Sequence, residues 1–129
     1  AGKDLSGFIE QTGLSNADFQ GYASLTQLPP NTKIFSLTYR HAANIIGYDM
    51  FTCIWCAQDI DMRSRSGMVG AQELHAWLKR QGYQYVIIDT DYAVKYGKDR
   101  LESLVADMDA SGLFQKAASL PGFAAFALP

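Results

Sequence analysis

Residues 83–89, YQYVIID, read as a strand, and the four residues Tyr85, Val86, Ile87 and Ile88 offer water no polar face. A strand apolar on both faces belongs at the centre of a sheet covered by helices, the usual setting of parallel strands in α/β proteins. The residues before it agree. Ala71, Leu74, Trp77 and Leu78 recur at helical spacing, with Glu73, Lys79 and Arg80 turned away, so residues 71–81 form a helix with one buried face. Gly82 stands where a left-handed C-terminal cap is needed. Helix and strand follow one another with almost no linker.

Working upstream, residues 32–38 (TKIFSLT) form a second strand, a short apolar run after the Pro29-Pro30 turn signal,. A first helix opens at Ser15, whose spacing to Asp18 is that of a capping box. Phe19, Tyr22, Ala23 and Thr26 then share a face until the prolines stop the helix,. Residues 39–46 read as a short helix ended near Gly47, residues 50–56 as an apolar strand, and the polar stretch 59–67 as an exposed loop. Downstream, Leu101, Leu104, Val105 and Met108 mark a helix over residues 98–110, closed by Gly112. Residues 113–118 and 122–128 pair antiparallel around a Leu-Pro-Gly turn. This alternation predicts an α/β domain: a three-layer, Rossmann-like, mostly parallel sheet with helices on both faces and a C-terminal antiparallel hairpin at one edge. Residues 1–129 form one such domain, with 1–13 as an extended lead-in.

Composition narrows the function classes. The chain has 129 residues, 48% of them hydrophobic and 19% charged, enough for a real core and ordinary for a globular protein. A net charge of −2 leaves no electrostatic footprint for nucleic acid, and no Lys/Arg run suggests an anionic membrane surface. No apolar run approaches the roughly 18 residues that span a bilayer. The start Ala-Gly-Lys-Asp carries no Met and no signal-peptide pattern, so the sequence is expected to be a piece of something larger.

The motif that stands out is FTCIWC, residues 51–56. A redox dithiol needs its cysteines at a helix N-terminus, whereas Cys53 and Cys56 fall in a stretch that reads as a strand. Residues three apart in a strand face opposite ways, roughly 10 Å apart, and a disulfide needs Cα atoms within about 7 Å. Zinc takes about four ligands, and the other soft candidates are His41 and His75 alone. Buried core thiols are therefore the favoured reading of Cys53 and Cys56, ahead of a redox or disulfide pair and of a metal site.

Phosphate chemistry finds little support. After the first strand a dinucleotide site shows a Gly-rich turn, and Thr38-Tyr39-Arg40-His41 stands there instead. No Gly-x-Ser-x-Gly elbow marks a hydrolase. Tyr39, Arg40 and His41 do lie beyond the end of one strand, and Asp89 and Asp91 at the end of another. That edge is where α/β sheets place a ligand crevice, so these five residues are the candidate ligand or partner contacts, although solvated loop residues are the favoured reading of them. No catalytic residue, metal site or cofactor is expected.

In order, these pieces resemble the soluble C-terminal extracytoplasmic domain of multi-pass membrane glycosyltransferases. That family includes dolichyl-phosphate-mannose–protein mannosyltransferases and bacterial lipid-linked-sugar transferases. The likeness begins at residues 8–13 leading into Leu14-Ser15. It continues through Leu28-Pro29-Pro30-Asn31-Thr32-Lys33-Ile34-Phe35, similar to the family's lead into a first strand, and Tyr39-Arg40, which falls in an aromatic-rich segment. It includes Glu73-Leu74, Trp77-Leu78, Gly82-Tyr83 and Tyr85-Val86-Ile87-Ile88-Asp89, and ends on the apolar strand at 122–128. His41 stands where a second aromatic is expected, and the Cys-Ile-Trp-Cys stretch lies outside the pattern. The resemblance implies a non-catalytic accessory domain on the extracytoplasmic side of the cytoplasmic membrane. There it would pack over the transmembrane region of its own parent chain and shape access of an acceptor or lipid-linked sugar. The alternatives are a free-standing domain binding a nucleotide or sugar phosphate and, behind it, a thiol-redox protein.

Overall fold

Strand β2, Tyr85–Ile88, is hydrogen-bonded on both sides. It runs parallel to β1 (Ile34–Ser36), with Phe35 opposite Val86. On its other side it runs antiparallel to β4 (Phe123–Ala127), with Val86 opposite Phe126. Strand β3 (Gln115–Leu120) pairs antiparallel with β4 and ends the sheet, whose order is β1-β2-β4-β3. This computed structural model describes residues 16–25, 28–29, 32–38 and 56–129, and all statements of structure concern those residues.

The described sheet is mixed, which corrects the expectation of a mostly parallel one: one of its pairings is parallel and the others are antiparallel. The reason is the C-terminal hairpin. Pro121 and Gly122 turn the chain between β3 and β4, with Gly122 at φ +78°, the conformation that a type II turn demands of its third residue. The returning strand β4 then slots in beside β2, so the hairpin supplies the sheet's second neighbour as well as its edge. A Cβ on Gly122 would stand 3.1 Å from the Thr90 side chain, so the turn lies against the segment leaving β2.

Helices fill the connections. In chain order they are α1 (Asn16–Leu25), α2 (Ala57–Arg65), α3 (Ala71–Gln81), α4 (Thr90–Tyr96) and α5 (Lys98–Ser111). Helix α3 ends at Gly82 with φ +81° and α5 at Gly112 with φ +72°, the left-handed caps read from the sequence. At the other end of α3, Gly70 brings no side-chain cap. The Asp107 carboxylate on α5 accepts the Ala71 N–H at 2.9 Å instead, satisfying one orphan donor from outside the helix.

Val86, Ile88, Ala124 and Phe126 alternate toward one cluster with Phe35, Leu37, Leu74, Trp77, Leu78, Leu101, Leu104 and Met108. Each fully buried Val or Ile side chain stabilises by about 1.5–3 kcal/mol relative to exposure. Helix α1 packs on β3 and β4. Its Gly21 lies so close to Phe123 that a Cβ would come within 2.2 Å of the ring. Phe123 precedes Ala124, so it points away from that cluster.

Two sequence expectations fail around the cysteines. The stretch 59–67, expected to be a loop, is mostly helix α2. Asp59, Met62, Arg63 and Ser66 are buried at positions i, i+3, i+4 and i+7, a helical face in which three of four members are polar. Cys56, expected inside a strand, is the N-cap of α2 at φ −70° and ψ 134°. Residues 50–55 of that strand and the short helix at 39–46 lie outside the described residues. Helix α4 has no counterpart in the sequence reading.

Candidate functional site

The polar residues of the interior gather where β1 and β2 end. Asp89, wholly buried, is the N-cap of α4. Its Oδ1 accepts from the Thr38 hydroxyl at 2.5 Å and from the Asp91 N–H at 3.1 Å. The first bond ties the end of β1 to the end of β2. The second is the ordinary work of a capping aspartate. Ser36 Oγ donates to the Thr38 carbonyl at 2.6 Å, holding the chain as it leaves β1.

Helix α2 lies alongside β1 and brings a buried cation. Arg63 Nε donates to the Ser36 carbonyl at 3.0 Å, and its guanidinium sits 4.6 Å from the centre of the Phe35 ring. The first contact satisfies a main-chain acceptor and the second a cation–π geometry, in which a desolvated arginine gains most. One turn earlier, the buried Asp59 carboxylate accepts from the Tyr83 hydroxyl. Helix α2 thus runs along the sheet from the level of Tyr83, ahead of β2, to the level of Leu37, past β1.

The end of α2 is held by phenols and one arginine. Ser66 Oγ donates to the Arg63 carbonyl at 2.9 Å, Tyr96 Oη to the same carbonyl at 3.2 Å, and Tyr92 Oη to the Ser66 carbonyl at 3.2 Å. Arg100 spans the next turn, donating from Nε to the Gly67 carbonyl at 2.5 Å and from Nη2 to the Val69 carbonyl at 2.9 Å. Burial pushes the Tyr92 phenol above its ordinary pKa; Arg100 pulls the other way and Tyr96 adds to the rise. Among the described residues, no group of three His, Cys, Asp or Glu side chains is placed to hold a metal ion.

Chemically this is a bracing network. The Ser36, Ser66, Tyr92 and Tyr96 hydroxyls and the Arg63 and Arg100 guanidinium groups donate to main-chain carbonyls. The carboxylates of Asp89 and Asp59 accept from the Thr38 hydroxyl, the Asp91 N–H of the α4 cap and the Tyr83 phenol. Of the residues singled out in the sequence, Asp89 and Asp91 do sit together at the strand end. Tyr39, Arg40 and His41 lie outside the described residues. The sequence reading missed Thr38, Arg63, Ser66, Tyr92 and Arg100. The helical spacing of Asp59, Met62, Arg63 and Ser66 is the one signal that could have found part of this set.

A groove of about 270 Å³ opens between α5 and the β3–β4 hairpin, with Leu101, Val105, Leu120 and Phe123 in its lining. Its acidic residues are paired within the protein, Glu102 with Lys98 at 3.8 Å and Asp109 with Lys116 at 2.9 Å. The rest of its lining is Ala106, Ser119, Gly122 and Ala124.

Comparisons with protein-family models, with curated proteins and with solved structures find no match to this chain. What remains chemically distinctive is Cys56. It is disulfide-bonded, and the sequence holds one other cysteine, Cys53. This corrects the reading of Cys56 as a buried free thiol. The expectation that argued against a disulfide placed Cys56 inside a strand, whereas Cys56 stands on a helix cap and is only partly buried. Cys53 itself lies outside the described residues.

Proposed function

We propose that this chain is a non-catalytic extracytoplasmic accessory domain of a glycosyltransferase-like integral membrane protein, packing over the parent's transmembrane region and shaping access of an acceptor or lipid-linked sugar. The observation that carries the reading is the disulfide at Cys56. Disulfides persist in the periplasm and outside the cell and are rare in reducing cytosol. The strand-end network supports the non-catalytic part, since its polar groups are spent on caps and carbonyls. The resemblance supplies the rest, with its segments at 32–35, 83–89 and 122–128 falling on or beside β1, β2 and β4. The three-layer, Rossmann-like architecture belongs to this proposal too, with α1 on one face of the sheet and α3 and α5 on the other.

The alternative, a domain binding a nucleotide or sugar phosphate with Tyr39, Arg40, His41 and Asp89, draws less support. Asp89 is already engaged by Thr38 and by the cap it forms.

The test is topology. Val94 is 83% exposed on α4, so a Val94→Cys variant of the parent protein presents a reactive thiol. A membrane-impermeant maleimide is expected to label it in intact cells. Labelling only after lysis overturns the proposal, as does a parent gene without apolar segments of about 20 residues.

A further inference from the structure

We infer that the groove between α5 and the β3–β4 hairpin docks an extended, basic peptide segment, which adds to the open edge of β3 as a further strand. The edge comes first. Among the described residues β3 has a strand on one side only, β4, so one row of its main-chain groups is left out of the ladder. Gln115, Lys116, Ala117 and Ser119 are exposed along it. Such a row of donors and acceptors is a template for an added strand. The β-bulge between Lys116 and Ala118, together with Lys116 itself, blunts the first half of this edge, as bulges and charged side chains do against indiscriminate pairing. The half from Ala118 to Leu120 carries neither device.

The groove comes second. Helix α5 turns Leu101, Leu104 and Met108 into the core, while Glu102, Val105, Ala106 and Asp109 recur at i, i+3, i+4 and i+7 along the groove,. Facing them is Ser119, which pairs with Ala124. The small side chains of Ala106, Ser119 and Ala124 leave a hollow of about 270 Å³, below the roughly 300–1,000 Å³ of a small-molecule pocket. From Glu102 to Asp109 the helix rises about 10 Å, the reach of about three extended residues. A hollow of that size beside an open strand edge suits the alternate side chains of an added strand better than a compact ligand.

Charge decides the occupant. The charged side chains in the lining are Glu102 and Asp109, both acidic. Asp109 is held by Lys116 of β3 at 2.9 Å, at the blunted end of the edge. Glu102 is held only loosely. Lys98 stands 3.8 Å away and both side chains are largely exposed, so this pair contributes little. Its order is also the weaker one, with the cation ahead of the carboxylate and on the first turn of α5, where the helix dipole disfavours it. An arginine on the incoming strand offers Glu102 a planar fork that bonds a carboxylate bidentately. The occupant is therefore an extended segment with apolar residues at alternate positions and an arginine at the end that meets Glu102.

This inference does not rest on the accessory-domain reading. To test it, the isotopically labelled chain is titrated with the blocked pentapeptides Val-Thr-Val-Thr-Arg and Arg-Thr-Val-Thr-Val, one for each direction along β3, and followed by its amide NMR shifts. Saturable shifts are expected at residues 101–109 and 118–124, which flank the groove. Exchanging Arg for Glu in the bound peptide is expected to weaken binding about fivefold, the effect of about 1 kcal/mol from an exposed ion pair. Glu102→Gln is expected to erase that difference. Ala106→Leu, at an exposed helix position, fills the hollow and is expected to abolish the shifts with the fold intact. Absence of shifts with both arginine peptides overturns the inference, as does equal binding of the arginine and glutamate peptides. Groove shifts that appear on concentrating the chain alone assign this face to a second copy and overturn the peptide as its occupant. Each of these results leaves the accessory-domain reading standing, whereas failed maleimide labelling of Val94→Cys in intact cells overturns that reading alone.

Discussion

Thr38 and Asp89 are 51 residues apart in sequence, yet the Thr38 hydroxyl donates to Asp89 Oδ1 at 2.5 Å inside the protein. The bond joins the ends of the two parallel strands and holds the aspartate that caps α4. A hydrogen bond to a charged acceptor contributes about 1.5–3 kcal/mol, and a buried carboxylate stripped of a donor carries the desolvation penalty as well. Thr38→Val keeps the shape and removes the donor. It is expected to lower the urea midpoint by an equivalent of about 2 kcal/mol without changing the slope of the transition. Thr38→Ser, which restores the hydroxyl, is expected to recover most of that loss. Equal stability in Val and wild type would mean that the bond contributes nothing net.

Gly21 reverses an ordinary helix rule. In the middle of a helix, glycine to alanine gains up to about 1 kcal/mol. At Gly21 the added Cβ would stand 2.2 Å from the Phe123 ring, and forcing extra volume into a packed contact costs about 1–3 kcal/mol. Gly21→Ala is therefore expected to destabilise the protein in thermal and urea melts. Combined with Phe123→Leu, its effect is expected to fall well below the sum of the two single changes, because the clash is gone. Simple additivity would show that α1 does not rest on Phe123.

Tyr92 makes stability depend on alkaline pH. Burial holds its pKa above the ordinary value, so the unfolded chain, whose tyrosines ionise near pH ~10, loses this proton before the folded one does. The contribution is complete below pH ~10 and is lost as pH rises from there through the folded pKa. Urea midpoints are expected to be flat up to about pH 9 in respect of this group and to fall beyond about pH 10. Tyr92→Phe is expected to make that fall shallower. At neutral pH the same variant loses the bond to the Ser66 carbonyl, worth about 1 kcal/mol. An unchanged alkaline slope would assign the fall to other groups.

The elements legible in the sequence were those whose signals are local and apolar. The run at 85–88, the apolar faces of α3 and α5 and the caps at Gly82 and Gly112 lie within a few residues of one another, and each appears where the sequence puts it. The hairpin was legible for the same reason, since Pro121-Gly122 announces its turn. Helix α2 was hidden because its inward face is built of Asp59, Arg63 and Ser66 around one methionine. Polar residues read as a loop until the structure supplies the Tyr83 hydroxyl and the Ser36 carbonyl that make their burial tolerable,. Helix α4 buries Tyr92 alone, too little for a period to emerge. The candidate site was half legible: Asp89 and Asp91 follow a recognisable strand, while the partners Thr38 and Arg63 are joined to them only through space.

By itself, then, the sequence determined which segments bury apolar surface and where the helices stop, because transfer free energy and cap conformation depend on a residue and its near neighbours. Two things were left to the tertiary structure. One is the mixed strand order, since two strands with equally apolar faces give no local sign of which will stand beside β2. The other is the placing of Cys56 on a helix cap rather than within a strand, since that depends on whether a polar stretch finds buried partners tens of residues away.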